Sequence, residues 1–229
     1  MLDQAFEALK TYDWGTDKKV LDPIQEAALG DDAAARKELE TKLAAVLKTG
    51  ATRDAKDYVC RKLMLIGTAA SVPTLAELLS DKDLSHMARY ALERIPAPEA
   101  AAALRDALAK LSGAQKIGVI GSLGVRGDTA SVPALAALLG DGDVAVAGAA
   151  ACALGDIRSP EAAKALNDAK PSDAVKPVVT NARLECAEAL LAAGDKGGAL
   201  AIYSSLSGEN EPKQVQTAAK RGKLACVGK

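Results

Sequence analysis

Residues 67–84 read GTAASVPTLAELLSDKDL, and residues 127–144 read GDTASVPALAALLGDGDV. At a constant offset of 60, Gly67 matches Gly127, Ser71 matches Ser131, Val72 matches Val132 and Pro73 matches Pro133. Leu75, Leu78 and Leu79 then match Leu135, Leu138 and Leu139, and Asp81 and Asp83 match Asp141 and Asp143. The likeness resumes at an offset of 62, where LERIPAPEAAAALRDA from Leu92 meets LGDIRSPEAAKALNDA from Leu154. Two helix pairs of roughly 30 residues each therefore separate the copies, a period that marks stacked helical hairpins. One hairpin leaves an apolar face bare, and only a neighbouring hairpin can cover it.

Each copy has a physical logic. Ser71 or Ser131 is placed to cap a first helix, with proline two residues on, in the first turn, where no backbone donor is missed. Val72, Leu75, Leu78 and Leu79 form an apolar stripe at helical spacing. Asp81-Lys82-Asp83 and Asp141-Gly142-Asp143 make the tight turn, and Asp83 and Asp143 are placed to cap the second helix. In that helix Leu84, Met87, Ala88, Ala91, Leu92 and Ile95 share one face. Ser85, His86, Arg89, Tyr90 and Glu93 share the other.

This pattern resembles the short bacterial HEAT-like repeats, of the armadillo-type α-solenoid class, most closely over residues 131–157 and 71–95. The resemblance implies a right-handed, curved α–α superhelix with second helices lining the concave face and first helices the convex one. It often carries an arginine early in the second helix. Here Ser85 and Ala145 stand at those places, so a ladder of aspartate–arginine contacts between repeats is not carried over.

Working outward, residues 2–12 form an amphipathic helix with Leu2, Phe6 and Leu9 inward. Asp22-Pro23-Ile24-Gln25 starts another with a capping-box pattern, and Gly30 ends it. Residues 1–30 are thus an N-terminal cap, with Trp14, the sole tryptophan, plugging the end of the stack. Residues 31–229 are the repeat array, about six hairpins: 33–48 with 54–66, 71–80 with 84–95, 98–111 with 115–125, 131–139 with 144–156, 160–168 with 175–193, and 196–206 with 213–227. The stretch 169–173 is irregular. Residues 184–206 are similar to a tetratricopeptide helix pair, with Gly194 at the turn, then Ala199 and Tyr203. Because Ala225-Cys226-Val227-Gly228-Lys229 is no polar cap, the chain is expected to be a piece of a longer protein that continues with more repeats or another domain.

Composition agrees with helices. Hydrophobic residues make up 49% of the 229, aromatics only 3% and charged residues 26%, so an alanine- and leucine-rich core and a solvated surface are both available. The net charge of −1 exerts no general pull on nucleic acid or anionic membrane. No stretch is long enough for a membrane span, and no signal peptide opens the chain. Near the end, Lys213, Lys220, Arg221, Lys223 and Lys229 stand against Glu209 and Glu211 and read as a solvated helix face, with a basic terminal patch as the alternative. Cys60, Cys152, Cys186 and Cys226 lie far apart among apolar residues and read as buried free thiols, not as a zinc site or disulfide framework. Such thiols favour a reducing compartment such as the cytoplasm; a secreted parent would place the array in the periplasm.

Catalytic chemistry finds little support. His86 is the only histidine, and no nucleophile elbow accompanies it. Gly118, Gly121 and Gly124 lack the spacing and the lysine of a phosphate loop and read as a small helix face for close packing. Asp141-Gly142-Asp143 lacks the further ligands of a calcium loop. No cofactor and no metal are expected. The candidate binding residues are Arg61, Lys62, His86, Arg89, Tyr90, Arg94, Lys116 and Arg126, drawn from second helices or their ends. They suit an acidic peptide or, alternatively, a nucleic-acid backbone. The expectation is a non-catalytic protein–protein interaction or scaffolding module that uses the concave face of the solenoid, partnered by another protein or by a domain of the same parent. The alternatives are nucleic-acid binding and an enzyme of the lyase or glycosylase type that helical repeats also build.

Overall fold

The computed structural model describes residues 1–228, and Lys229 of the C-terminal helix face lies outside them. Fourteen α-helices and no strand are present among the described residues. They gather into two compact units, Met1–Ser122 and Leu123 onward.

The first unit holds α1 (Leu2–Lys10), α2 (Asp22–Leu29), α3 (Ala33–Leu47), α4 (Arg53–Ile66), α5 (Val72–Glu77), α6 (Ser85–Arg94), α7 (Pro98–Lys110) and most of α8 (Gly113–Val125). First helices pack on first helices, α3 on α5 and α5 on α7, while α4 packs on α6 in a second row. The second unit holds the end of α8, then α9 (Val132–Leu138), α10 (Val144–Ile157), α11 (Pro160–Asp168), α12 (Lys176–Ala192), α13 (Lys196–Leu206) and α14 (Lys213–Val227). There α9 packs on α11, and α10, α12 and α14 follow one another. This two-row stacking of hairpins is that of an all-α solenoid, and the helices expected from the sequence begin and end within two residues of an observed boundary except that expected over 71–80, whose α-helix stops at Glu77 and passes into a 3-10 turn, Leu78–Ser80.

The core follows the helical stripes. Leu63, Leu75, Leu92 and Leu104 are fully enclosed, as are Leu84, Met87, Ala88, Ala91 and Ile95 of the expected inward face of α6. Truncating one such leucine to alanine costs about 2–5 kcal/mol, so the apolar stripe dominates the energetics of each hairpin. Ser85, expected on the polar face, is buried too.

Where small residues replace large ones, helices close up. An added Cβ on Gly124 would stand 2.8 Å from Ala153 Cα, and one on Gly222 would stand 2.3–2.5 Å from three ring carbons of buried Tyr203. In α8, Gly118, against the Arg89 guanidinium, and Gly124 are therefore packing positions, whereas Gly121 faces open space and does not serve the close packing expected of it. Gly127 and Gly194 have positive φ, of 63° and 87°. Each ends its helix with the two reversed backbone hydrogen bonds of a Schellman turn: Gly127 N to Gly124 O and Asp128 N to Leu123 O, then Gly194 N to Leu191 O and Asp195 N to Leu190 O. Gly67, the sequence counterpart of Gly127, instead has φ of −63°.

Several local expectations are corrected. Neither Ser71 nor Ser131 caps through its side chain, because both already have right-handed helical backbone, whereas a capping residue is extended. The Ser71 hydroxyl donates to the Glu40 carboxylate and the Ser131 hydroxyl to Asp128 O. Of the two expected aspartate caps only Asp143 serves, accepting from Ala145 N at 2.8 Å. In the other copy α6 has no side-chain cap, and Asp81 instead closes the turn that leads into it, accepting from Asp83 N and Leu84 N. The capping box at Asp22–Gln25 does not form, since a 3-10 turn, Lys18–Leu21, runs directly into α2. Trp14 is 38% exposed, so the buried plug beside α1 is Tyr12. Cys60, Cys186 and Cys226 are buried free thiols, but Cys152 is exposed, on the outer side of α10 between buried Ala151 and Ala153.

Candidate functional site

The segment after α1 is fastened to the first turn of α4. Thr52, the N-cap of α4, accepts from Ala55 N and donates its hydroxyl to Tyr12 O. Its own backbone N–H donates to Lys10 O, and Trp14 N donates to Asp54 Oδ2 at 3.3 Å. These bonds hold the Trp14 indole over one side of α4. Spacing within α4 does the rest: Tyr58, Arg61 and Lys62 stand three and four residues apart and so share a helix face.

The result is an open groove of about 560 Å³ lined by Trp14, Lys18, Leu21, Asp22, Gln25, Tyr58, Arg61 and Lys62. Two cations bracket the indole, Lys18 Nζ at 5.0 Å and Arg61 Cζ at 5.7 Å from the ring centroid. Lys62 Nζ lies 4.7 Å from the Tyr58 centroid and donates to Gln25 Oε1. Arg61 Nε donates to buried Asp57 at 3.0 Å, so one of the three cations is neutralised directly. Burial and the neighbouring Arg61 charge hold the Lys62 ammonium below its ordinary pKa. Burial, and then Tyr12 and Asp22, push the Tyr58 phenol up to about 12; its hydroxyl lies 3.4 Å from Leu21 O.

A second cluster, on α6, brings together His86, Arg89 and Tyr90. The His86 and Tyr90 rings are 5.8 Å apart at 44°, and Arg89 Nη2 lies 3.3 Å from His86 Nδ1. The guanidinium donates, so Nδ1 accepts and the imidazole proton is on Nε2. Arg89 Nη1 also donates to Gly118 O at 3.0 Å and reaches Ser122 Oγ at 3.4 Å. Burial lowers the Arg89 pKa, with Glu93 opposing. Arg89 is thus a tie between α6 and α8 as much as a surface cation. With Lys82, Ser85, His86, Ala114 and Gln115 it lines a shallow depression of about 410 Å³. Arg94 is exposed at the end of α6, Lys116 is half-buried in the first turn of α8, and Arg126 is half-buried in the second unit.

The sequence reading therefore reached Arg61 and Lys62 of the groove and missed Lys18, Gln25 and Tyr58, and it gave Trp14 to the end of the stack rather than to the groove lining. Two spacings pointed to it: Trp14 with Lys18, and Tyr58 with Lys62. No group of three or more His, Cys, Asp or Glu side chains is placed to hold a metal ion among the described residues, and no helix there is long and apolar enough to cross a membrane.

A two-row stack of hairpins defines an all-α helical repeat fold. The family model for HEAT repeats matches residues 111–190. No curated protein matches the chain. Solved structures similar to it include two engineered proteins from a structural genomics consortium. One is 20% identical over 90% of this chain and 95% of its own, with a TM-score of 0.44. The other is 22% identical over 98% and 68%, with a TM-score of 0.47. Human deoxyhypusine hydroxylase in complex with glycerol is 18% identical over 98% and 95%, with a TM-score of 0.39.

Proposed function

We propose that the chain is a non-catalytic scaffold module that binds another protein, or a domain of a shared parent chain, through the groove between the Trp14 segment and α4. One observation carries this reading: a partly exposed indole held between two cations in an open, solvent-facing groove. Tryptophan and arginine are the side chains in which binding energy concentrates at protein interfaces. The sole histidine supports the non-catalytic part of the reading, since its δ nitrogen is engaged by Arg89 and its ring lies beside Tyr90.

The test places a photo-crosslinking residue at position 14, and separately at exposed Glu7 as a control, in the full chain in its native cells. A discrete protein adduct specific to position 14, lost when Lys62→Gln is added, is expected. Equal labelling at both positions, or turnover of a substrate that His86→Ala abolishes, would overturn the reading.

A further inference from the structure

We infer that the groove between Trp14 and α4 takes the carboxylate side chains of an acidic protein segment. This rests on the reading of the groove as a protein-binding surface and names the chemistry of the partner. The argument is one of charge complementarity. Lys18, Arg61 and Lys62 converge on one groove, and only Arg61 has a carboxylate in direct contact, Asp57. The Lys62 ammonium has an uncharged acceptor, Gln25, and an arginine beside it, so an incoming carboxylate supplies the direct anionic partner that Gln25 does not.

Two features favour a carboxylate-bearing peptide over a nucleic acid. First, the aromatic rings already carry cations, Lys18 and Arg61 at Trp14 and Lys62 at Tyr58, so they offer no open platform for stacked bases. Second, the basic groove is small and fenced. Asp13 and Asp54 hold the Trp14 segment through Gly15 N and Trp14 N, Asp17 caps the following turn, and Asp22 lines the groove. A continuous run of phosphates would meet these acids within a few ångströms, whereas one or two side-chain carboxylates fit inside them.

Trp14 is the only tryptophan and forms the groove wall, so its fluorescence reports occupancy directly. The full chain is titrated with a ten-residue glutamate-rich peptide, the glutamine-rich counterpart, a serine-phosphorylated peptide of equal charge, and a single-stranded oligonucleotide. The acidic peptide is expected to bind at least about tenfold more tightly than the amide control and to weaken with salt. Lys62→Gln and Lys18→Glu should each reduce that affinity several-fold while leaving the helical circular dichroism unchanged. Because Arg61→Gln would strand buried Asp57, it is made together with Asp57→Asn. Equal binding of the acidic and amide peptides, or tighter binding of the phosphopeptide or the oligonucleotide, would overturn the inference. If position 14 still crosslinks to a protein in that event, the partner-binding reading stands and only its acidic chemistry falls.

Discussion

Glu40 of α3 accepts from the backbone N–H of Thr68 at 2.7 Å and from the Thr68 hydroxyl at 3.0 Å. With the Ser71 hydroxyl on the same carboxylate, a buried acid from one hairpin closes the start of α5 in the next. Donors at a helix start need partners, and here the partner comes from a residue about 30 positions back.

Glu40→Ala should therefore destabilise the chain by about 1–3 kcal/mol, because the buried Ser71 hydroxyl would lose its carboxylate acceptor and the Thr68 donors their tie to α3. Glu40→Gln, which keeps one carbonyl acceptor, should cost distinctly less. Urea unfolding measures both; equal losses would mean that the alanine effect is lost packing rather than lost hydrogen bonds.

Gly121 and Gly124 lie one turn apart in α8 and should respond oppositely to alanine. A Cβ on Gly121 meets nothing within 4 Å, so Gly121→Ala should stabilise by roughly 0.5–1 kcal/mol through helix propensity. At Gly124 the Cβ would press on the Ala153 backbone, and Gly124→Ala should cost about 1–3 kcal/mol. Thermal unfolding distinguishes the pair by the sign of the shift.

Alkaline pH should weaken the fold through groups buried in their neutral forms. Burial, then Asp57, pushes the Cys60 thiol from 9.0 to about 12, and burial, then Glu185, pushes Cys186 to about 11. Tyr58 rises from 10.0 to about 12. The folded chain thus holds these protons after the unfolded chain has released them. The stability they contribute is fully present below about pH 9 and is lost as pH rises from there toward 12. Urea midpoints should be flat up to about pH 9 and fall above it, less steeply for Cys60→Ala; a midpoint unchanged at pH 11 would contradict the burial argument.

Among the thiols, only Cys152 is exposed, and its pKa is raised by partial burial and by Asp156 and Glu185. A disulfide reagent at pH 8 should label the native chain once, more slowly than a free thiol because the thiolate is scarce. Cys152→Ser should abolish that labelling. Rapid modification of a second thiol would show opening of the core.

Much of this protein was legible one residue at a time. The Leu75, Leu78 and Leu79 stripe, the proline at the first turn and the recurrence 60 residues on determined where helices form and that they pair, because periodic apolar faces and backbone chemistry are local properties. What the stacked helices alone decided was which polar group meets which. Ser71 looked like a cap until Glu40 claimed its hydroxyl, Trp14 looked like a plug until Tyr12 filled that place, and the cations of the groove came together only when Thr52 and Asp54 fastened the N-terminal segment to α4. Hydrogen bonds and ion contacts reach only a few ångströms, so their partners are fixed by distances between segments far apart in the chain, and no spacing along one segment encodes those distances.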